Sequence, residues 1–143
     1  MKIIENFLPE EQFKEIENRV FGPHFPWYFQ DGIVTTGDGN YKLTHLLYAD
    51  GRVNSNEFNL FNPVLDKFNM LSILRAKLNC IPKIGTIREN GMHQDIDTKN
   101  NFTTAIFYMN TNKTTAYVYE KQKKRRLKVN KKINFKNIKL TKE

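Results

Sequence analysis

His93-Gln94-Asp95 is the sharpest chemical feature of the sequence. In extended backbone, residues i and i+2 point to the same side, so an imidazole and a carboxylate converge without help from the rest of the fold. They supply two of the three donors of the two-histidine-one-carboxylate face. That face holds non-haem Fe(II) and leaves positions open for substrate and dioxygen. The bland alternative is a His–Asp hydrogen bond within a turn. The other histidines, His24 and His45, both precede His93, and none stands between Gln94 and Glu143. Cys80, the one cysteine, lies between Asn79 and Ile81 with no neighbouring base, so it reads as buried rather than nucleophilic. No Ser-His-Asp arrangement emerges from the residues.

Several elements must position that triplet. Residues 2–5 read as a short strand, and Leu8-Pro9-Glu10-Glu11 opens a helix, with proline near its start and acids at the positive end of its dipole. Phe13, Ile16 and Val20 form one apolar stripe, and Gly22-Pro23 stops it. Residues 25–33 are aromatic-rich and extended, broken at Asp31-Gly32. Thr36-Gly37-Asp38-Gly39-Asn40 is a turn cluster. A phosphate-binding loop needs a helix directly behind it. Here residues 41–48 read as a strand, which sets the phosphate reading aside. After an Asp50-Gly51 turn, Phe58, Phe61, Val64, Leu65 and Phe68 keep helical spacing, with Pro63 tolerable in a first turn. Residues 72–80 and 84–88 suit strands, and Glu89-Asn90-Gly91 turns the chain into His93. Residues 102–109 form the clearest strand, rich in β-branched and aromatic side chains. Residues 115–119 suit one more.

This order of strands, turn, His-x-Asp, acidic loop and Thr103-Thr104-Ala105-Ile106-Phe107-Tyr108-Met109-Asn110 resembles the 2-oxoglutarate/Fe(II)-dependent dioxygenases. The nearest branch is the prolyl-4-hydroxylase-like one, with its short viral and bacterial members. There the strand after the motif commonly reads Thr-x-Ile-Tyr-Tyr-Leu-Asn, whose outline Thr104 to Asn110 follows. Phe25-Pro26-Trp27-Tyr28 and His45-Leu46-Leu47-Tyr48 also look like the N-terminal support of such members. The resemblance covers about residues 1–112. It implies a mainly β fold with N-terminal helices: a double-stranded β-helix of the jelly-roll or cupin type, incomplete on its C-terminal side. It implies His93 and Asp95 as metal ligands and Tyr108 as the hydrogen-bond partner of the distal carboxylate of 2-oxoglutarate. The alternative for Tyr108 is a strand aromatic packed in the core.

The implied activity is an Fe(II)/2-oxoglutarate-dependent hydroxylase acting on an unactivated C–H bond, with ascorbate as a reductant. Its substrate would be a peptidyl proline, an amino acid or a nucleobase. The family's third ligand, a later histidine, and the Arg or Lys that pairs with 2-oxoglutarate have no counterparts here, so the expected activity is impaired or lost. The family's topology argues against His45 as the substitute. The family pattern stops near Asn112, where the sequence turns to Lys and Asn. Either a foreign reading frame or a genuine variant tail would explain that change.

The formal charge of +8 is unevenly placed. Of the 23 Lys and Arg, 11 fall in residues 121–143 with one acid, Glu143; the other 12 share residues 1–120 with 14 acids. Residues 1–120 therefore read as the dioxygenase-like domain and 121–143 as a basic Lys/Asn-rich tail, solvated because so dense a charge resists burial. The competing function is a non-enzymatic module that uses this tail on nucleic acid. With 39% hydrophobic and 13% aromatic residues, the chain is not disordered over most of its 143 residues. No apolar run approaches the roughly 20 residues of a membrane span. The acid at Glu5 and the lack of an apolar core after it argue against a secretory leader. A single cysteine suits a reducing cytoplasm, which the resemblance implies to be that of a bacterial cell or viral host.

Overall fold

The computed structural model describes residues 2–82, 102–110, 117–120, 123–126 and 138–142. The described chain is mainly antiparallel β with a few short helices. It divides into two units: residues 1–17 with 98–143, and residues 18–97. The sequence-based strand over 84–88, the turn at 89–91 and the His93-Gln94-Asp95 triplet lie outside the described residues.

In the first unit, β1 (Lys2–Ile4) leads through Asn6, at φ 53°, into α1 (Glu10–Val20). Asparagine tolerates this left-handed conformation better than branched residues do. The Phe13 N–H donates to the Pro9 carbonyl at 3.0 Å, which closes the first helical turn. The apolar stripe behaves as its spacing requires: Phe13, Ile16 and Val20 are each 1% exposed. Burying a side chain of this size stabilises by about 2 kcal/mol. Val20 already belongs to the second unit, so α1 runs across the division. β6 (Thr103–Phe107) ends on Phe107, whose ring stands 6.3 Å from Phe7 and 6.1 Å, edge-on, from Phe13.

The basic C-terminal segment contributes more than a solvated tail. β9 (Ile138–Lys142) lies between β1 and β6 and pairs antiparallel with both, setting Leu140 opposite Lys2 and Ala105. β7 (Tyr117–Glu120) and β8 (Lys123–Arg126) form a separate antiparallel ribbon.

The second unit is organised around β3 (Tyr41–Ala49). One edge pairs with β2 (Tyr28–Asp31) and β4 (Arg52–Val53), and the other with β5 (Arg75–Cys80). Asp50 and Gly51, at φ 53° and 73°, make the tight turn between β3 and β4. Such a two-residue turn needs positive φ at both positions. The β3–β5 register shifts between Leu46 and Tyr48. The Leu47 carbonyl there accepts the Asn54 N–H at 2.9 Å, and the Leu47 side chain is buried. A 3-10 turn (Phe58–Phe61) runs into α2 (Asn62–Leu65), with Pro63 in the first turn as its chemistry demands. The core side chains of this unit include Phe25, Leu47, Phe61, Val64 and Leu78.

Candidate functional site

Two polar knots dominate the second unit. The first forms where β3 carries His45 into the interior, 3% exposed. Its Nδ1 lies 2.6 Å from the Pro26 carbonyl, and its Nε2 lies 2.6 Å from Ser55 Oγ. A carbonyl only accepts, so Nδ1 carries the hydrogen. Nε2 is then satisfied by the Ser55 hydroxyl, whose oxygen accepts the Glu57 N–H at 3.0 Å. The ring is flanked by Phe25 at 4.9 Å and Tyr28 at 5.9 Å.

Next to it, Arg19 Nε donates to Glu57 Oε2 at 3.0 Å and Arg19 Nη2 donates to Glu57 Oε1, a two-pronged pair. That hydrogen bonding holds the Glu57 carboxyl below its usual range and raises the Arg19 guanidinium. The guanidinium also lies 5.9 Å from the Phe25 ring centre. A serine hydroxyl on an oriented imidazole is the contact used by nucleophile and base in acyl transfer. Here a backbone carbonyl takes the place of the orienting carboxylate and the imidazole is closed off. The group therefore ties three segments together: the approach to β2, β3 and the loop after β4.

The second knot is the loop between β2 and β3. The N–H groups of Ile33, Val34 and Thr35 converge on Asp38 Oδ2 at 3.0, 2.8 and 3.4 Å, and the Asn40 N–H reaches Oδ1 at 3.0 Å. Successive backbone donors of this kind form an anion nest. The bond from Val34, then those from Asn40, Ile33 and Thr35, hold the carboxyl down at about 2. The chain thus fills with its own carboxylate the place a phosphate would need. Gly32, at φ 83°, permits the close turn: a Cβ there would meet the Thr35 carbonyl oxygen at 1.9 Å. Buried Lys42 donates from Nζ to the Ile33 carbonyl at 3.0 Å and steadies the loop from β3.

Of the residues that the sequence singles out, Tyr108 is described and His93 and Asp95 are not. Tyr108 follows directly on β6 and is half-buried, and burial pushes its phenol up. It therefore keeps its proton over the physiological range and can donate a hydrogen bond. Cys80, at the end of β5 opposite Leu43, is a half-buried free thiol. Among the described residues no three His, Cys, Asp or Glu side chains gather as a metal site. His45 is not poised as a ligand, because both ring nitrogens are engaged. Sequence reasoning missed the His45–Ser55 and Asp38 clusters; a lone histidine in an alternating strand gives no hint of a serine ten positions on. No described helix is long and apolar enough to cross a membrane. Compared with protein-family models, curated proteins and solved structures, the chain matches none of them.

Proposed function

We propose that the chain is a 2-oxoglutarate/Fe(II)-dependent dioxygenase of the prolyl-4-hydroxylase-like kind, working in the cytoplasm with an impaired metal site. The observation that carries this reading is His93-Gln94-Asp95 followed, at the spacing of the family strand, by Thr104 to Asn110. The structure supports it on two points. Residues 103–107 are a strand in an antiparallel sheet, and Tyr108 leaves that strand half-buried with its phenol protonated. The finer fold belongs to the same proposal: a double-stranded β-helix of the jelly-roll or cupin type, incomplete on its C-terminal side.

His93 and Asp95 would hold the iron, through a neutral imidazole nitrogen and a carboxylate oxygen. Bound iron supplies the activation of dioxygen that couples decarboxylation of 2-oxoglutarate to C–H hydroxylation. Tyr108 would donate its phenolic hydrogen to the distal carboxylate of 2-oxoglutarate and orient it. No histidine follows His93 in this sequence, and His45 is committed elsewhere, so two protein ligands face a task usually given to three. Weak iron binding and slow turnover follow.

Succinate formation with Fe(II), ascorbate and 2-oxoglutarate tests this, with His93→Ala beside the wild type. The expected result is a low rate that His93→Ala removes, and a raised KM for 2-oxoglutarate in Tyr108→Phe. Equal rates in wild type and His93→Ala would overturn the dioxygenase reading. Robust turnover lost in His93→Ala would overturn only the impairment.

A further inference from the structure

The β7–β8 ribbon combines charge and aromatic positions in a way that neither strand shows alone. Its register sets Tyr117 opposite Arg126, Val118 opposite Arg125, Tyr119 opposite Lys124 and Glu120 opposite Lys123. Positions opposite one another in an antiparallel pair share a face, and alternate positions along a strand share it too. Tyr117, Tyr119, Lys124 and Arg126 therefore occupy positions on one face. Val118, Glu120, Lys123 and Arg125 occupy the other. β8 is four cations in a row, and the only acid in the two strands is Glu120. The ribbon pairs with no third strand among the described residues. No like charges stand directly opposite one another, and Glu120 is opposite Lys123.

We propose that the Tyr117/Tyr119/Lys124/Arg126 face of this ribbon binds single-stranded nucleic acid. Two aromatic positions two residues apart offer platforms for successive bases, and the cations across from them meet the phosphates. The polyanion would neutralise the four consecutive cations of β8. An acidic peptide would satisfy the cations and leave the tyrosines without a role. A lipid surface would want an apolar face, and the opposite face offers only Val118 among three charges. This inference is independent of the dioxygenase reading, since it uses neither His93 nor Asp95.

The test is fluorescence anisotropy of the full chain with a labelled oligo-dT, titrated at several salt concentrations. Single-strand binding loses affinity with salt at a log–log slope of about −0.7 per neutralised phosphate. Lys124→Gln/Arg126→Gln should lower the slope by about 1.4 and weaken binding. Tyr117→Leu/Tyr119→Leu should weaken binding by about tenfold or more at an unchanged slope, while Tyr117→Phe/Tyr119→Phe retains affinity because stacking survives. Lys123→Gln/Arg125→Gln removes the same charge from the other face and should cost less than Lys124→Gln/Arg126→Gln. Equal effects of the two charge pairs would overturn the assignment of a face. Failure to bind oligo-dT, or stronger binding to phosphatidylserine vesicles, would overturn the proposal outright.

Discussion

Two stretches of the chain carry their charge differently. In residues 18–82, three titratable side chains are satisfied within the chain. Asp38 accepts four backbone N–H groups, His45 is engaged at both nitrogens, and Arg19 is forked onto Glu57. No described buried side-chain nitrogen or oxygen lacks a partner. Residues 121–143 carry 11 cations against one acid. Tyr108 stands just before it with a protonated phenol. Polar groups that are satisfied within the chain build the fold. We accordingly treat the support built on β3 as scaffold and assign ligand recognition, as proposed above, to the His93–Asp95 triplet, Tyr108 and the β7–β8 ribbon.

If that division holds, substitutions in the β3 region should change stability and leave ligand binding alone. The largest effect is expected at Gly32→Ala, where positive φ and a 1.9 Å approach to the Thr35 carbonyl coincide. A loss of about 3 kcal/mol in urea denaturation is expected. A loss under about 0.5 kcal/mol, the size of an ordinary surface change, would mean that the loop relaxes freely. Ser55→Ala comes next. It leaves the buried His45 Nε2 without its partner and should cost about 2 kcal/mol. If oligo-dT or metal binding fell while stability held, the serine–histidine pair would belong to a binding site instead.

Asp38→Asn gives the smallest and most diagnostic change. The folded carboxyl sits at about 2, below the ordinary value of 3.8, so the folded state binds fewer protons than the unfolded state between these values. Wild-type stability from this group is complete above the ordinary value and is lost as pH falls towards about 2. Asp38→Asn should flatten that acid limb and leave the rest of the pH profile in place. Parallel acid limbs in wild type and variant would show that the nest does not hold the carboxylate in solution.

Much of the local architecture was legible because it is locally determined. Phe13, Ile16 and Val20 declared one buried helical face. The helical spacing from Phe58 to Phe68 is realised only as a 3-10 turn (Phe58–Phe61) and the short α2 (Asn62–Leu65), with Pro63 in its first turn. Asp50-Gly51 marked a turn whose positive φ values suit those residues. The strand expected over 102–109 is shorter, Thr103–Phe107, which puts Tyr108 beyond its end. What escaped the sequence is non-local. The place of Ile138–Lys142 between β1 and β6 depends on partners more than thirty residues away, and the density of lysines outweighed the alternation of Ile138 and Leu140 in favour of a solvated tail. The Asp38 nest was legible as a turn but not as an anion site already filled. Ser55 carried no signal, because its importance comes from the histidine that β3 brings beside it.

The central claim, that metal chemistry resides at His93 and Asp95 and not in the β3 scaffold, is tested most directly by Co(II) titration followed optically. Wild type, His93→Ala, Asp95→Ala and His45→Ala are compared, with folding of each variant checked by circular dichroism. The expected result is weak, saturable binding in the wild type, lost in His93→Ala and Asp95→Ala and kept in folded His45→Ala. Binding that survives His93→Ala and Asp95→Ala, or that disappears in a folded His45→Ala protein, would contradict it.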